Sequence, residues 1–148
     1  MAQATPVNFG DIEVLLGDGA DPEVFTAPCG LTSLTETTNV ESNTTNIPDC
    51  DDPDLASWLA VDEVSRQKVV SGTGVLAQEA FETWRAWDLA GGAKNVRVRY
   101  NIPANAGGGY IQGSAILSTF EKTGERGRKW QISVGVTFDG KPTWTAAT

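Results

Sequence analysis

Four aspartates within six positions, Asp49, Asp51, Asp52 and Asp54, form the densest cluster of potential metal ligands in the chain. Such an oxygen-rich segment invites calcium, yet Pro48-Asp49-Cys50-Asp51-Asp52-Pro53-Asp54 lacks the glycine and the distal glutamate that an EF-hand loop requires. It reads instead as a solvated turn in which Asp52 caps a short helix beginning at Pro53. Cys29 and Cys50 are the only thiols; they are expected as reduced, partly buried side chains, with a disulfide across a long loop as the alternative. Histidine is absent, which removes the commonest general base and the commonest zinc ligand. No nucleophile stands beside a base. The chain is therefore expected to have no catalytic residues, no metal and no cofactor, and not to be an enzyme.

Gly72-Thr73-Gly74-Val75-Leu76-Ala77 matches a dinucleotide fingerprint and stands between a strand and a helix, the context such a site needs. Its flanks contradict it. A parallel sheet buried on both faces gives apolar strands, whereas Val64-Ser65-Arg66-Gln67-Lys68 is polar. The glycines read as places where neighbouring backbone comes close. Pro103 to Gly109 contains three glycines but lacks the lysine and serine of a phosphate loop. Asn43-Thr44-Thr45 matches a glycosylation acceptor, a chance match in a chain without a secretory signal.

The elements that carry these residues are mostly strands. Val96-Arg97-Val98-Arg99-Tyr100 and Trp130 to Phe138 alternate with period two, which gives a pleated surface with one apolar face. Tyr110 to Phe120 lies between them, so Asn95 to Phe138 reads as a meander. Asp11 to Leu16 and Glu23 to Thr26 read as a hairpin around Gly17-Asp18-Gly19. Val64 to Val75 alternates loosely. Ala77 to Ala90 reads as the one helix, with Phe81, Trp84 and Trp87 recurring at helical spacing as its core stripe and Gly91-Gly92 as its end. Leu31 to Asn46 is dominated by threonine, serine and asparagine; it suits a sheet that projects from the body or a strand whose partner is another chain. Asn39 to Val61 reads as a long loop, of the kind that serves binding or assembly.

At 148 residues the chain fits one domain. A net charge of -8 argues against a groove that grips nucleic acid through its phosphates. No apolar run approaches the ~20 residues that span a bilayer. Met1-Ala2-Gln3-Ala4-Thr5 lacks the positive region and apolar run of a secretory signal, so the chain is expected in a cytoplasm. The charge is unevenly placed: residues 1–63 hold thirteen acidic and no basic side chains, whereas residues 64–148 hold eleven basic and six acidic ones. Unlike halves favour head-to-tail association of copies.

Several segments together resemble a known family. Asn8-Phe9-Gly10-Asp11-Ile12, Cys29-Gly30-Leu31-Thr32-Ser33-Leu34-Thr35, the Pro48 to Pro53 loop, Val70-Ser71-Gly72-Thr73-Gly74-Val75-Leu76 before the helix, and Gly113-Ser114-Ala115-Ile116-Leu117 are similar to the tail tube (major tail) proteins of long-tailed bacteriophages and gene transfer agents. The resemblance runs along almost the whole chain and rests mainly on the order of elements.

It implies a mainly antiparallel β-sandwich or partial barrel, one domain over 1–148, with a flanking helix and a long assembly loop at about 39–61. It implies hexameric rings stacked into a tube for double-stranded DNA, in a virion tail assembled in the host cytoplasm. Six subunits giving four strands each, spaced ~4.8 Å, would have a circumference of ~115 Å and leave roughly 25 Å inside the side chains. Asn39, Asn43, Asp49, Asp51, Asp52, Asp54 and Trp58 are then the arm to a neighbouring subunit or ring. Ser71, Thr73, Gln131, Ser133 and Thr137 are the lumen or subunit-contact face. The implied partners are other copies of the chain and the tail terminator, tape measure and distal tail proteins. DNA passes without specific binding, and no membrane is involved. Two alternatives stay open: the inner tube of a contractile injection system, and a carbohydrate-binding β-sandwich that uses Trp58, Trp84 or Trp144.

Overall fold

The computed structural model describes residues 2–148; Met1, part of the amino-terminal stretch considered above, lies outside the described residues. In chain order the elements are β1 (Ile12–Gly17), β2 (Phe25–Thr26), β3 (Leu31–Ile47), β4 (Trp58–Val75), α1 (Gln78–Ala90), β5 (Ala93–Tyr100), β6 (Gly109–Thr123), β7 (Gln131–Phe138) and β8 (Thr143–Ala146). All strand pairings are antiparallel. They join the strands into one sheet of order β2-β1-β5-β6-β7-β4-β3, with β8 added against β6.

β6 bends this sheet over on itself. Its first part pairs with β5 from Tyr100↔Gly109 to Ala93↔Ile116, and its second pairs with β7 from Ala115↔Phe138 to Thr123↔Gln131. A bulge between Leu117 and Thr119 marks the change, and bulges sharpen strand bending and twist. The far parts of the sheet consequently face each other. Tyr100 on β5 donates its hydroxyl proton to Glu36 on β3 at 2.7 Å, and Ile12, Val14, Leu34 and Val70 line one apolar groove. No ladder joins β1 to β3 among the described residues, so the sheet does not close into a barrel. The expected sandwich is in this respect a single curled sheet.

Period two holds where a face is buried. Val96 and Val98 of β5, Ile132, Val134, Val136 and Phe138 of β7, and Val70 of β4 point into one core with Val14 and Leu16. Helix α1 covers this core with Ala80, Trp84 and Trp87. Trp84 is 1% exposed and stacks between Trp87 and Phe120, at centroid distances of 6.3 and 6.0 Å. The Trp87 indole N–H donates to the Gly92 carbonyl at 3.1 Å. Phe81 is only half-buried, at the rim between Arg85 and Lys122. Gly91, at φ 66, stops the helix, a backbone conformation that glycine takes without steric cost.

Two local expectations are corrected. Asn39 to Val61 is not a long loop: β3 and β4 pair from Leu31↔Gly74 to Ile47↔Trp58, with bulges at Leu31/Ser33 and Glu41/Ser42, and the connection is only 48–57. Threonine-rich chain forms a two-stranded ribbon held mainly by its backbone hydrogen bonds, with no core face to reveal it. No helix begins at Pro53. The Asp49 carboxylate instead accepts the N–H groups of Asp51 and Asp52, at 2.8 and 3.1 Å, and the Leu55 N–H donates to the Asp52 carbonyl. Local side-chain bonds of this kind compete with helix formation. The glycines of the Gly72–Ala77 motif serve backbone approach: a Cβ on Gly74 would collide with the Gly30 carbonyl.

Candidate functional site

The outward face of the curled sheet brings together the five face residues read from the sequence. Ser71 lies opposite Gly135, Thr73 opposite Ser133, Val75 opposite Gln131 and Val69 opposite Thr137, so all share one side of the β4–β7 ladder. Ser71, Thr73 and Gln131 are exposed, and Ser133 and Thr137 are partly so. Register extends the same face in both directions. On β3, Thr35 stands opposite Ser71 and Ser33 opposite Thr73. On β6, Thr119 stands opposite Gly135, Glu121 opposite Ser133 and Thr123 opposite Gln131.

Hydroxyls tie this surface together. Thr137 Oγ1 donates to Ser118 Oγ at 3.1 Å, which donates to the Gly135 carbonyl at 3.0 Å. Its charges are carboxylates: Glu121, and Glu41 opposite Ser65. The nearby cations turn away. Lys122 packs its ammonium over Phe81 and Phe120, and Lys68 bonds Glu36 at 2.8 Å, on the opposite side of the pleat from Ser71. The block β6-β7-β4-β3 ends in two free edges, the outer side of β3 and the 117–123 part of β6.

The predicted arm residues occupy a different place. β4 pairs with β7 only from Val69 onward, so Trp58–Lys68, eleven residues at about 3.3 Å each, carries a ribbon about 36 Å beyond the body. Asn39 lies opposite Gln67 and Asn43 opposite Asp62 along this ribbon; Trp58 lies opposite Ile47 at its end, and Asp49, Asp51, Asp52 and Asp54 form its tip. The ribbon exposes apolar side chains: Trp58 by 85%, Val61 by 64%, Leu59 by 61%, with Ile47 and Leu55 more than half exposed. An isolated two-stranded ribbon is marginal in water, and an apolar surface on one marks a contact.

The base of the ribbon is pinned. Glu36 on β3 receives Lys68 from β4 and the Tyr100 hydroxyl from β5. Partial burial and then the Glu36 carboxylate push the Tyr100 phenol well above its ordinary value, so it remains a proton donor. Sequence reasoning missed this cluster. Its members are distant in the chain, and only the curl of the sheet joins them.

The remaining chemistry-bearing residues stay apart. Cys29 and Cys50 are exposed free thiols at opposite ends of β3, whose seventeen residues span about 56 Å; they cannot pair within one chain. Trp84 is buried, while Trp58 ends the ribbon and Trp144 packs on Tyr100 at 6.0 Å, so the three build no common sugar platform. Among the described residues no group of three His, Cys, Asp or Glu is placed to hold a metal ion. No helix is long and apolar enough to cross a membrane.

A family model described as phage tail tube protein matches residues 6–144. Among solved structures, the chain superposes on a chain of the tail of an empty gene transfer agent particle, refined helically with C6 symmetry: TM-score 0.76, 19% identity, covering 94% of this chain and 98% of that one. It also matches the SPP1 tail tube, with TM-score 0.63 and 12% identity, covering 96% of this chain and 80% of that one. A chain of the PVC sheath–tube complex, from an extracellular contractile injection system in its extended state, matches with TM-score 0.60 and 10% identity, covering 96% and 93%. No curated protein sequence matches this chain.

Proposed function

The chain belongs to the phage tail tube protein family, and from this premise we propose that its copies form six-membered rings that stack into a tube for the delivery of double-stranded DNA. The observation that carries the proposal is the polar face of β6-β7-β4-β3, which presents hydroxyls, amides and carboxylates and no lysine or arginine. Phosphates gain affinity by contact with cations; a wall without them lets a duplex pass. Four strands from each of six copies give a wall of ~115 Å circumference at ~4.8 Å spacing, wide enough for duplex DNA inside.

Ring closure follows from the two free edges. The outer side of β3 in one copy pairs with the 117–123 part of β6 in the next, which removes exposed edges as a closed barrel does. The ribbon then reaches a neighbouring ring and covers its apolar residues there. Tail terminator, tape measure and distal tail proteins are the further partners in this reading, and the assembled protein resides in a virion tail after assembly in the host cytoplasm. Since a chain of a sheath–tube complex has this fold, the inner tube of a contractile system is the second reading; co-purification with a sheath protein distinguishes it.

Negative-stain microscopy and sedimentation of the purified chain test the assembly. Rings or tubes of six-fold symmetry, favoured by concentration, are expected; a chain that stays monomeric at every concentration and salt refutes it. Replacing Asn43–Asp62 by a two-residue Asn-Gly turn should leave the body folded, because no core residue lies in that span, and should prevent tubes. Tubes that form unchanged refute the arm.

A further inference from the structure

The tip of the ribbon and the β6–β7 turn stand at opposite ends of one strand axis. β4 runs beside β7 from Val69↔Thr137 to Val75↔Gln131, which places the 124–130 turn beyond the Val75 end. The tip lies beyond the Trp58 end. The two ends differ in charge, and the difference survives the ion pairing within the chain. Among the described residues, three of the four salt bridges join the acidic amino-terminal part to the basic remainder: Glu13 with Arg99, Glu36 with Lys68, and Glu63 with Arg66. None reaches Asp49, Asp51, Asp52 or Asp54 among the described residues. At the other end Arg126 and Lys129 have no carboxylate partner among the described residues, and Arg128 meets Glu125 only at 3.7 Å with both side chains at least 70% exposed, a pair of little energetic worth.

Apolar groups accompany the charges at both ends. The tip end carries Trp58, Ile47 and Leu55. The turn end carries Trp130, 55% exposed, and Val75, 39% exposed, and Arg128, Lys129, Gln131 and Val75 line a shallow concavity there.

We propose that the β6–β7 turn of one copy receives the ribbon tip of a second copy. Trp58 and Ile47 cover Trp130 and Val75, while the tip aspartates face Arg126, Arg128 and Lys129. The inference rests on the assembly reading and deepens it by naming the receiving surface. A contact between two different patches at opposite ends of one molecule is heterologous; it repeats along an axis and does not close into a two-fold dimer. Tip-to-tip and turn-to-turn encounters bring like charges together, so the charges select one polarity. Every copy in the tube then points the same way.

Charge reversal tests this. One variant carries Asp51→Lys, Asp52→Lys and Asp54→Lys; a second carries Arg126→Glu, Arg128→Glu and Lys129→Glu; a third carries all six. Each reversal alone should raise the concentration at which tubes form by ~100-fold, the scale of three exposed pairs turned repulsive, with the thermal unfolding midpoint unchanged. The sixfold variant should assemble again. An equimolar mixture of the two single-end variants should also form tubes, because each supplies the end that the other lacks. If wild-type tubes form and the single-end variants assemble equally well, or if neither the sixfold variant nor the mixture recovers, the receiving surface is wrong while the tube reading stands. If the wild-type chain itself never assembles, the tube reading falls and takes this inference with it.

Discussion

Trp58 gives the sharpest separation between folding and assembly. It is 85% exposed and touches no core cluster, so Trp58→Ala removes almost nothing that stabilises the single chain; surface changes of this kind stay within about 0.5 kcal/mol. In the proposed tube the same side chain is covered. A tryptophan buries about 150–250 Å² in full, and the exposed fraction leaves ~130–210 Å² to be removed from water, worth ~3–5 kcal/mol at ~25 cal/mol per Å². Ordering the side chain takes back ~0.5–1.5 kcal/mol. The net loss per contact is therefore ~2–4 kcal/mol, which raises the critical concentration for tube formation by ~25-fold to ~700-fold. Sedimentation of a dilution series gives that concentration, and thermal unfolding of the dilute monomer gives the control. An unchanged critical concentration refutes the burial of Trp58 in the assembly; a collapsed unfolding midpoint refutes its independence from the core.

Two further predictions concern the body. Trp84 is buried and its indole N–H has no hydrogen-bond partner among the described residues, so Trp84→Ala should cost ~3–5 kcal/mol in chemical denaturation, whereas Trp84→Phe should cost much less because it also removes an unsatisfied donor worth ~1–3 kcal/mol; equal losses would refute the assignment of an orphan N–H. The Tyr100 phenol has its folded-state pKa raised above the ordinary 10.0, so the stability it contributes is fully present below about pH 10 and is lost as the pH climbs through the folded value. The test is the comparison with Tyr100→Phe: its unfolding midpoint should fall less steeply above pH 10 than that of the wild type, and parallel curves would refute the raised phenol.

Legibility in the sequence follows burial. β5 and β7 are readable from Val96–Tyr100 and Trp130–Phe138 because one side of each strand meets a core, and period two records that side. Helix α1 is readable for the same reason at period 3.6, through Ala80, Trp84 and Trp87. β3 packs only Leu31 and Leu34, near its start, against the core, so its pairing with β4 beyond them leaves no hydropathic trace. The same limit applies to the polar face. Its β4 and β7 members alternate with core residues and can be read; Ser33, Thr35, Thr119 and Glu121 join them only through a strand order and two bulges, at Leu31/Ser33 and Leu117/Thr119, that no local pattern encodes.

This division has a physical origin that bears on function. A core announces itself because its side chains are satisfied within one chain. A surface that assembles copies must remain unsatisfied in the single chain, and so reads as exposed tryptophan, unpaired charge and free strand edge. Among the described residues the ribbon has all three: Trp58 in water, aspartates without cationic partners, and β3 with no neighbour on its outer side. Its two strands are paired along the ribbon apart from one bulge at Glu41/Ser42, so it is a formed element before it meets a partner. The Lys68–Glu36–Tyr100 cluster fixes its base to the body, which limits the directions the tip can sample and lowers the entropy lost on docking. A substitution that loosens that cluster should therefore weaken assembly more than it weakens the fold.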